Sequence, residues 1–381
     1  MQQSRKILFL TAPIGSGHTR AAQAIKRELD SSYPGTQSRI VNVFDFFHPS
    51  IGQMILSSYG KILNLFPALY GKMYDWGNDS SAAVYGRELI SRYLGSKMKQ
   101  FIRDYRPDGI VCTHASPAGL AAYLHSRNII NIPIYGVVTD FVIHRLWIYK
   151  EVNHYYIAHQ LLQDQLEVYG VPRVKSLTTG IPVDSKFSFS YQREVLLQQM
   201  SLNPKLPVVL IMGGGGGLLP MDKIIASIQN FLSGRIQIVA VAGQNQKMYN
   251  QLTGLYGTQS DIRILRFVDN IHELMALSTV MITKPGGLTI AEALCMGLPM
   301  IIYQSLPGQE EGNADYLVTQ KAALKANTTE GIIQALMPYV EGNQQWIEQQ
   351  KDMILRLSRP HAALKIVNHL IASLNTFQKR S

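Results

Sequence analysis

The sequence predicts an α/β protein built from two Rossmann-like domains that face each other across a cleft. Three observations carry the prediction. Short β-branched or apolar runs alternate with longer helical patterns, the alternation restarts after about residue 205, and a glycine-rich turn follows the first strand of each series. A length of 381 residues exceeds one ordinary core and suits two domains.

In chain order, strand-like residues 7–11 precede a helical pattern over 21–29, 109–113 precede 119–126, and 134–139 precede a basic-aromatic segment. The second series runs 207–212, a helix from about 222, 237–242, a helix from about 247, 262–266, 280–283 and a helix from about 289. Alternation of this kind implies parallel sheets with crossover helices. The domain limits follow: 1–185 for the first, a polar linker over 186–205, 206–358 for the second, and a final helix over 359–381 that crosses back to the first. Residues 46–106 break the rhythm. There Tyr, Phe, Leu and Trp are interleaved with Lys61, Lys72, Arg87, Arg92, Lys97, Lys99 and Arg103, a pattern of helices inserted into the first domain with an amphipathic, membrane-facing character.

Nearly half of the residues are apolar and few are charged, a globular composition. The two cysteines, Cys112 and Cys295, lie in apolar stretches, which gives neither a disulfide framework nor a zinc spacing and fits a reducing cytoplasm. No signal peptide and no unbroken apolar run of membrane-spanning length is expected. The formal charge is +10, and residues 1–186 hold 20 Lys and Arg against 13 Asp and Glu. A basic first half suits nucleic acid, a phosphate-bearing substrate or an anionic membrane, or serves solubility alone.

The glycine turns carry the chemistry. Gly15-Ser16-Gly17-His18 follows the first strand; it lacks the third glycine of a dinucleotide fingerprint and the Lys-Ser/Thr of a P-loop. His18 there either points into the crevice at the strand's carboxyl end or caps the turn. Gly213 to Gly217 is a run whose entropy cost is better explained by close approach to a pyrophosphate or another ligand than by a plain turn. Thr283-Lys284-Pro285-Gly286-Gly287-Leu288-Thr289 takes a strand into a turn and a helix start suited to a diphosphate. Glu292, read as lying in that helix's first turn, either accepts ribose hydroxyls or compensates the helix dipole. Pro307-Gly308-Gln309-Glu310-Glu311-Gly312-Asn313 reads as a sugar-binding loop or a solvated acidic one.

These motifs, with Val138-Thr139-Asp140, Thr179-Gly180-Ile181-Pro182-Val183 and Gly297-Leu298-Pro299-Met300, resemble in order those of the diacylglycerol glycosyltransferases. That family includes the monogalactosyldiacylglycerol synthases and the processive diacylglycerol glucosyltransferases; a more distant likeness is to the peptidoglycan N-acetylglucosaminyltransferase. The resemblance implies the GT-B fold, inverting transfer, a UDP-sugar (glucose or galactose) in the second domain and diacylglycerol at the first. It implies that Gly214, Gly215, Gly286, Gly287, Leu288 and Thr289 hold the diphosphate side, Glu292 the ribose, Phe267 and Val268 the uracil, and Gln309 and Glu310 the sugar. The acceptor side takes in Gly17, His144 and Trp147, and the interleaved basic pattern of residues 46–106 adds Lys97, Lys99 and Arg103 on the membrane side.

For the base there are two candidates, His18 first and Asp140 second. With no Asp-x-Asp pair, neither a metal nor another cofactor is expected, and the leaving diphosphate falls to the helix start, backbone amides and Lys284. The expected partners are the UDP-sugar, diacylglycerol and anionic lipids, not nucleic acid, at the cytoplasmic face of the cell membrane. A transferase using another lipid-linked acceptor, a UDP-sugar epimerase and a binding-only protein remain the alternatives.

Overall fold

In the computed structural model, residues 5–13, 15–46, 95, 97–217 and 219–380 are described. The chain divides into two compact units: Met1–Ser185 with Leu306–Gln309 and Arg359–Ser381, and Lys186–Ser305 with Glu310–Ser358.

The first unit is built on a six-stranded parallel sheet, β1 (Lys6–Thr11), β2 (Gln37–Asn42), β3 (Gly109–Cys112), β4 (Ile134–Val137), β5 (Val152–Ile157) and β6 (Ser176–Thr178), ordered β2-β1-β3-β4-β5-β6. The chain leaves β1 toward β2 and returns on its other side as β3, so the β1–β3 boundary is a topological switch point. The first helix spans Gly17–Ser32, starting four residues before the apolar pattern does, and buries Ala21, Ala22, Ala24, Ile25 and Leu29. The last helix, Ala362–Arg380, belongs to this unit. Its Ile366, Val367, Leu370 and Leu374 pack with Ile7, Phe9, Val111 and Tyr156 of the sheet. Burying each such aliphatic side chain contributes about 1.5–3 kcal/mol before entropy is counted. Polar contacts fix its register: Tyr135 Oη donates to Ser373 Oγ over 3.0 Å, and Tyr33 Oη to Asn368 Oδ1 over 2.9 Å.

The second unit repeats the construction with β7 (Val208–Met212), β8 (Gln237–Val241), β9 (Ile262–Leu265), β10 (Val280–Thr283), β11 (Met300–Tyr303) and β12 (Ala323–Ala326). Its order, β12-β11-β10-β7-β8-β9, runs outward from β7 through β8 to β9 on one side and from β10 to β12 on the other. The switch point lies between β7 and β10, where Met212 pairs with Thr283. Residues 186–205 differ from the linker reading. They cluster with the second unit and contain a helix, Arg193–Gln199, with Arg193 Nε donating to the Leu277 carbonyl over 3.0 Å.

Between 47 and 105 in the atypical segment, only residue 95 and the helical residues 97–105 are described. Lys61, Lys72, Arg87 and Arg92 lie outside the described residues. In this helix Met98 and Ile102 are buried while Lys97 and Arg103 are exposed and Lys99 is partly so, an apolar seam with a basic outer face. No helix among the described residues is long and apolar enough to cross a membrane.

Candidate active site

At the switch point of the first unit, His18 is the second residue of its helix and stands beside the carboxyl ends of β3 and β4. Its Nδ1 lies 2.9 Å from the Thr113 carbonyl and 2.7 Å from Thr139 Oγ1. A carbonyl can only accept, so Nδ1 carries the proton and Nε2 keeps the lone pair. Burial pushes the His18 imidazole below the usual histidine value, while the Asp140 charge and the Thr113 carbonyl pull the other way. This arrangement favours a neutral ring with a basic Nε2, the state a general base needs. Asp140 is buried. Residues Leu306–Gln309 cluster with this unit, and there Gln309 Nε2 donates to Asp140 Oδ2 over 3.2 Å.

Gly17 is the first residue of the same helix. His144 and Trp147 do not lie on a surface. His144 caps a short turn by accepting from the Leu146 N–H over 3.1 Å, and Trp147 is 3 % exposed. Tyr155 Oη donates to the Trp147 carbonyl over 2.9 Å. The indole is packed inside the first unit.

In the second unit the loops after β7 and β10 flank the switch point. Thr283 Oγ1 donates to the Met212 carbonyl over 2.9 Å and ties the two strand ends together. The next helix begins at Gly287, two residues before the sequence pattern suggests, with Gly286 as its N-cap and no capping side chain. The N–H groups of Gly287, Leu288 and Thr289 are therefore first-turn donors without intrahelical acceptors, aligned with the positive end of the dipole. The turn before them is braced from behind: Asn313 Nδ2 donates to the Pro285 carbonyl over 3.0 Å, and Asn313 is fully buried.

Because the helix starts earlier, Glu292 is its sixth residue and lies in the second turn, not the first. It is only 2 % exposed. Dipole compensation fades beyond the first turn, so that explanation of the carboxylate loses its force. The Gln309–Asn313 segment is likewise not a loop: Gln309 opens the helix Gln309–Thr319, whose first turn favours Glu310 and Glu311. Glu310 Oε1 lies 3.1 Å from Lys284 Nζ, so the cation before the Pro285-Gly286-Gly287 turn and the expected sugar reader form one ion pair.

The glycine run after β7 has two causes in the structure. Gly217 has φ +58°, and a Cβ there would meet the Ala242 carbonyl oxygen at 2.2 Å. Its side-chain-free backbone is needed for loop-on-loop packing, not for a ligand. Gly214, with φ +73°, faces open space. Phe267 and Val268 follow β9 at the sheet edge, and Phe267 is 51 % exposed. Thr113, Thr139, Thr283 and Asn313 hold these sites through contacts that the sequence does not announce. Thr139, Thr283 and Asn313 stand inside recognisable motifs, but a contact such as His18–Thr113 joins residues 95 positions apart and leaves no local spacing signal.

Residues 18–183 match the model of the monogalactosyldiacylglycerol (MGDG) synthase family, and residues 208–363 match the glycosyltransferase family 28 C-terminal domain. Over these ranges the chain is similar to the diacylglycerol glycosyltransferases. Two relatives, the processive diacylglycerol beta-glucosyltransferases of Bacillus cereus (strain 03BB102) and Bacillus anthracis (strain A0248), are each 29% identical over 378 residues, covering 98% of this chain and 95% of theirs. Solved structures share the GT-B architecture. Acinetobacter baumannii MurG aligns with TM-score 0.62 at 14% identity, covering 96% of this chain and 98% of its own. The UDP complex of S. aureus MnaA aligns with TM-score 0.66 at 14% identity, covering 97% of each chain. At such identities the likeness speaks for the fold alone. Together these matches support a glycosyltransferase of glycolipid synthesis.

Proposed function

We propose that this glycosyltransferase moves a hexose from UDP-glucose or UDP-galactose to the hydroxyl of diacylglycerol or of a glycosyl-diacylglycerol, with inversion, at the cytoplasmic surface of the cell membrane. The observation that carries the chemistry is the fixed tautomer of His18. With Nδ1–H held by the Thr113 carbonyl, Nε2 is available to take the acceptor's proton. As that O–H bond breaks, the acceptor oxygen forms the new bond to the anomeric carbon and the bond to the diphosphate oxygen breaks. UDP leaves with the electron pair, and the proton stays on His18, where Asp140 favours the cation.

The departing diphosphate is met by the Gly287, Leu288 and Thr289 N–H groups, with Gly214 and Gly215 across the switch point and Lys284 adjacent. In this reading Glu292 accepts from the ribose, Phe267 and Val268 meet the uracil, and Gln309 and Glu310 read the sugar. No metal is required. The acceptor reaches the first unit from a bilayer on which the basic face of Lys97, Lys99 and Arg103 rests.

The test is to incubate the purified protein with radiolabelled UDP-glucose or UDP-galactose and vesicles of phosphatidylglycerol and diacylglycerol, then separate the lipids. Labelled glycolipid formed equally with and without EDTA is the expected result. Sugar consumed without lipid product would favour an epimerase, and activity lost to EDTA and restored by manganese would refute the metal-free leaving group.

A further inference from the structure

A second histidine stands beside His18. His114 follows β3 and is the N-cap of the helix Ala115–Ser126, and its ring lies edge-on to that of His18 with centroids 4.6 Å apart. The Ser116 backbone N–H donates to His114 Nδ1 over 3.1 Å. Nδ1 is thus an acceptor, and the proton of the neutral ring is on Nε2. The two rings are opposite tautomers. His18 carries its proton on Nδ1 and a lone pair on Nε2, while His114 carries a lone pair on Nδ1 and N–H on Nε2. Among the described residues neither Nε2 has a hydrogen-bond partner.

The environments also divide the charge between them. A second proton on His114 would sit on Nδ1, facing the Ser116 N–H, so capping and protonation exclude one another. The positive end of the helix opposes a cation there as well. Burial and the neighbouring His18 hold the His114 imidazole well below the usual histidine value. His18 has Asp140 to support a positive charge and the carbonyl of Thr113 to share it. Two titratable groups driven apart in this way take different roles in one reaction.

We propose that His114 is a second catalytic residue, whose Nε2–H donates a hydrogen bond to the acceptor's hydroxyl oxygen while His18 Nε2 receives that hydroxyl's proton. An alcohol is both donor and acceptor, and the pair offers one complement to each. Together the rings fix the attacking oxygen, and only His18 changes protonation state. This inference rests on the proposed transferase reaction and on His18 as its base.

The competing explanation is that His114 only caps a helix, a job that Ser and Asn also do well. Substitution separates the two. His114→Ser keeps a capping oxygen and loses the imidazole N–H, whereas His114→Asn keeps a capping oxygen and an N–H donor. With vesicles containing diacylglycerol, His114→Ser is expected to lower kcat about tenfold to a hundredfold, with His114→Asn recovering part of the loss. UDP affinity by calorimetry and the melting temperature stay at parent values, and the acid limb of the kcat/KM profile, set by His18, stays in place. If His114→Ser turns over like the parent, or if His114→Asn is no better than His114→Ser, the inference is overturned. Should Ser lower the melting temperature too, Asn against Asp makes the same comparison, since both cap and only Asn carries N–H. His18→Ala is the control for the underlying reading. If it is as active as the parent, or the parent makes no glycolipid, that reading fails and this inference with it. If His18→Ala is inactive and His114→Ser normal, only the role of His114 is refuted.

Discussion

Replacing Gly217 by Ala separates the two causes of the glycine run after β7. The new methyl would lie 2.2 Å from the Ala242 carbonyl oxygen and 3.0 Å from Asn245 Cβ, on a residue whose φ is +58°. The oxygen is backbone and cannot swing aside. Left-handed backbone at a non-glycine residue costs about 1–2 kcal/mol and overpacking about 1–3 kcal/mol, so the loss is about 2–5 kcal/mol. For a unit of this size that lowers the melting temperature by about 4–20 °C. Gly214→Ala meets only the backbone cost, because no atom lies within 4 Å of the added methyl at φ +73°. Its proposed place beside the diphosphate makes the opposite pattern of effects: a small change in melting temperature and a clear loss of UDP affinity. Differential scanning fluorimetry with and without UDP, together with calorimetric titration, reads both quantities. If Gly217→Ala melts like the parent, the packing argument fails; if Gly214→Ala binds UDP normally, the open glycine is not at the phosphate.

Glu292→Ala is expected to weaken UDP binding about tenfold to a hundredfold while the fold persists, since a charged hydrogen bond contributes about 1.5–3 kcal/mol; unchanged titration would remove Glu292 from the site. Burial first, then His369 and Lys175, pull the His154 imidazole from 6.5 down to about 4. The unfolded chain therefore takes that proton first, and stability falls as pH drops from about 6.5 toward about 4. His154→Gln should flatten this slope in a melting series over pH, and a parent-like slope would assign it to other groups. Changing Lys97, Lys99 and Arg103 together to Glu should release the protein from phosphatidylglycerol vesicles in sedimentation, each charge having contributed on the order of 1 kcal/mol. Equal pelleting of variant and parent would mean that this face is only solvated.

The strands beside the switch points, β1, β3, β7 and β10, are legible in the sequence because they are short apolar runs followed by turns or glycines, and β8 is legible for the same reason. Other strands are hidden by their composition. Gln37–Asn42 is a polar edge strand, Ala323–Ala326 is written in helix-forming residues, and Val152–Ile157 carries Asn153 and His154 among its aromatics. Tertiary pairing overrides local preference in each. Helix starts shift for a related reason. Gly17 and Gly287 are poor helix formers, yet the first turn needs donors near a crevice more than it needs propensity. At the candidate sites, motifs mark His18, Asp140 and the Pro285-Gly286-Gly287 turn, but the hydrogen bonds that set the His18 tautomer come from distant strand ends and exist only once the sheet has formed.

The last helix carries a consequence for how the chain is made. Residues up to 185 leave the ribosome with every strand of the first sheet, but the helix Ala362–Arg380 that covers Ile7, Phe9, Val111 and Tyr156 is translated only after the second unit. At roughly 5–20 residues per second that interval is about 10–40 s. During it the second unit, contiguous but for four residues assigned elsewhere, can complete its sheet first. The nascent first unit waits with an apolar sheet face uncovered, so a stop codon or stalled ribosome shortly before residue 362 leaves a sticky fragment. The order of completion is thus the reverse of the order of synthesis, and this enzyme's demand on chaperones is written into the position of one helix.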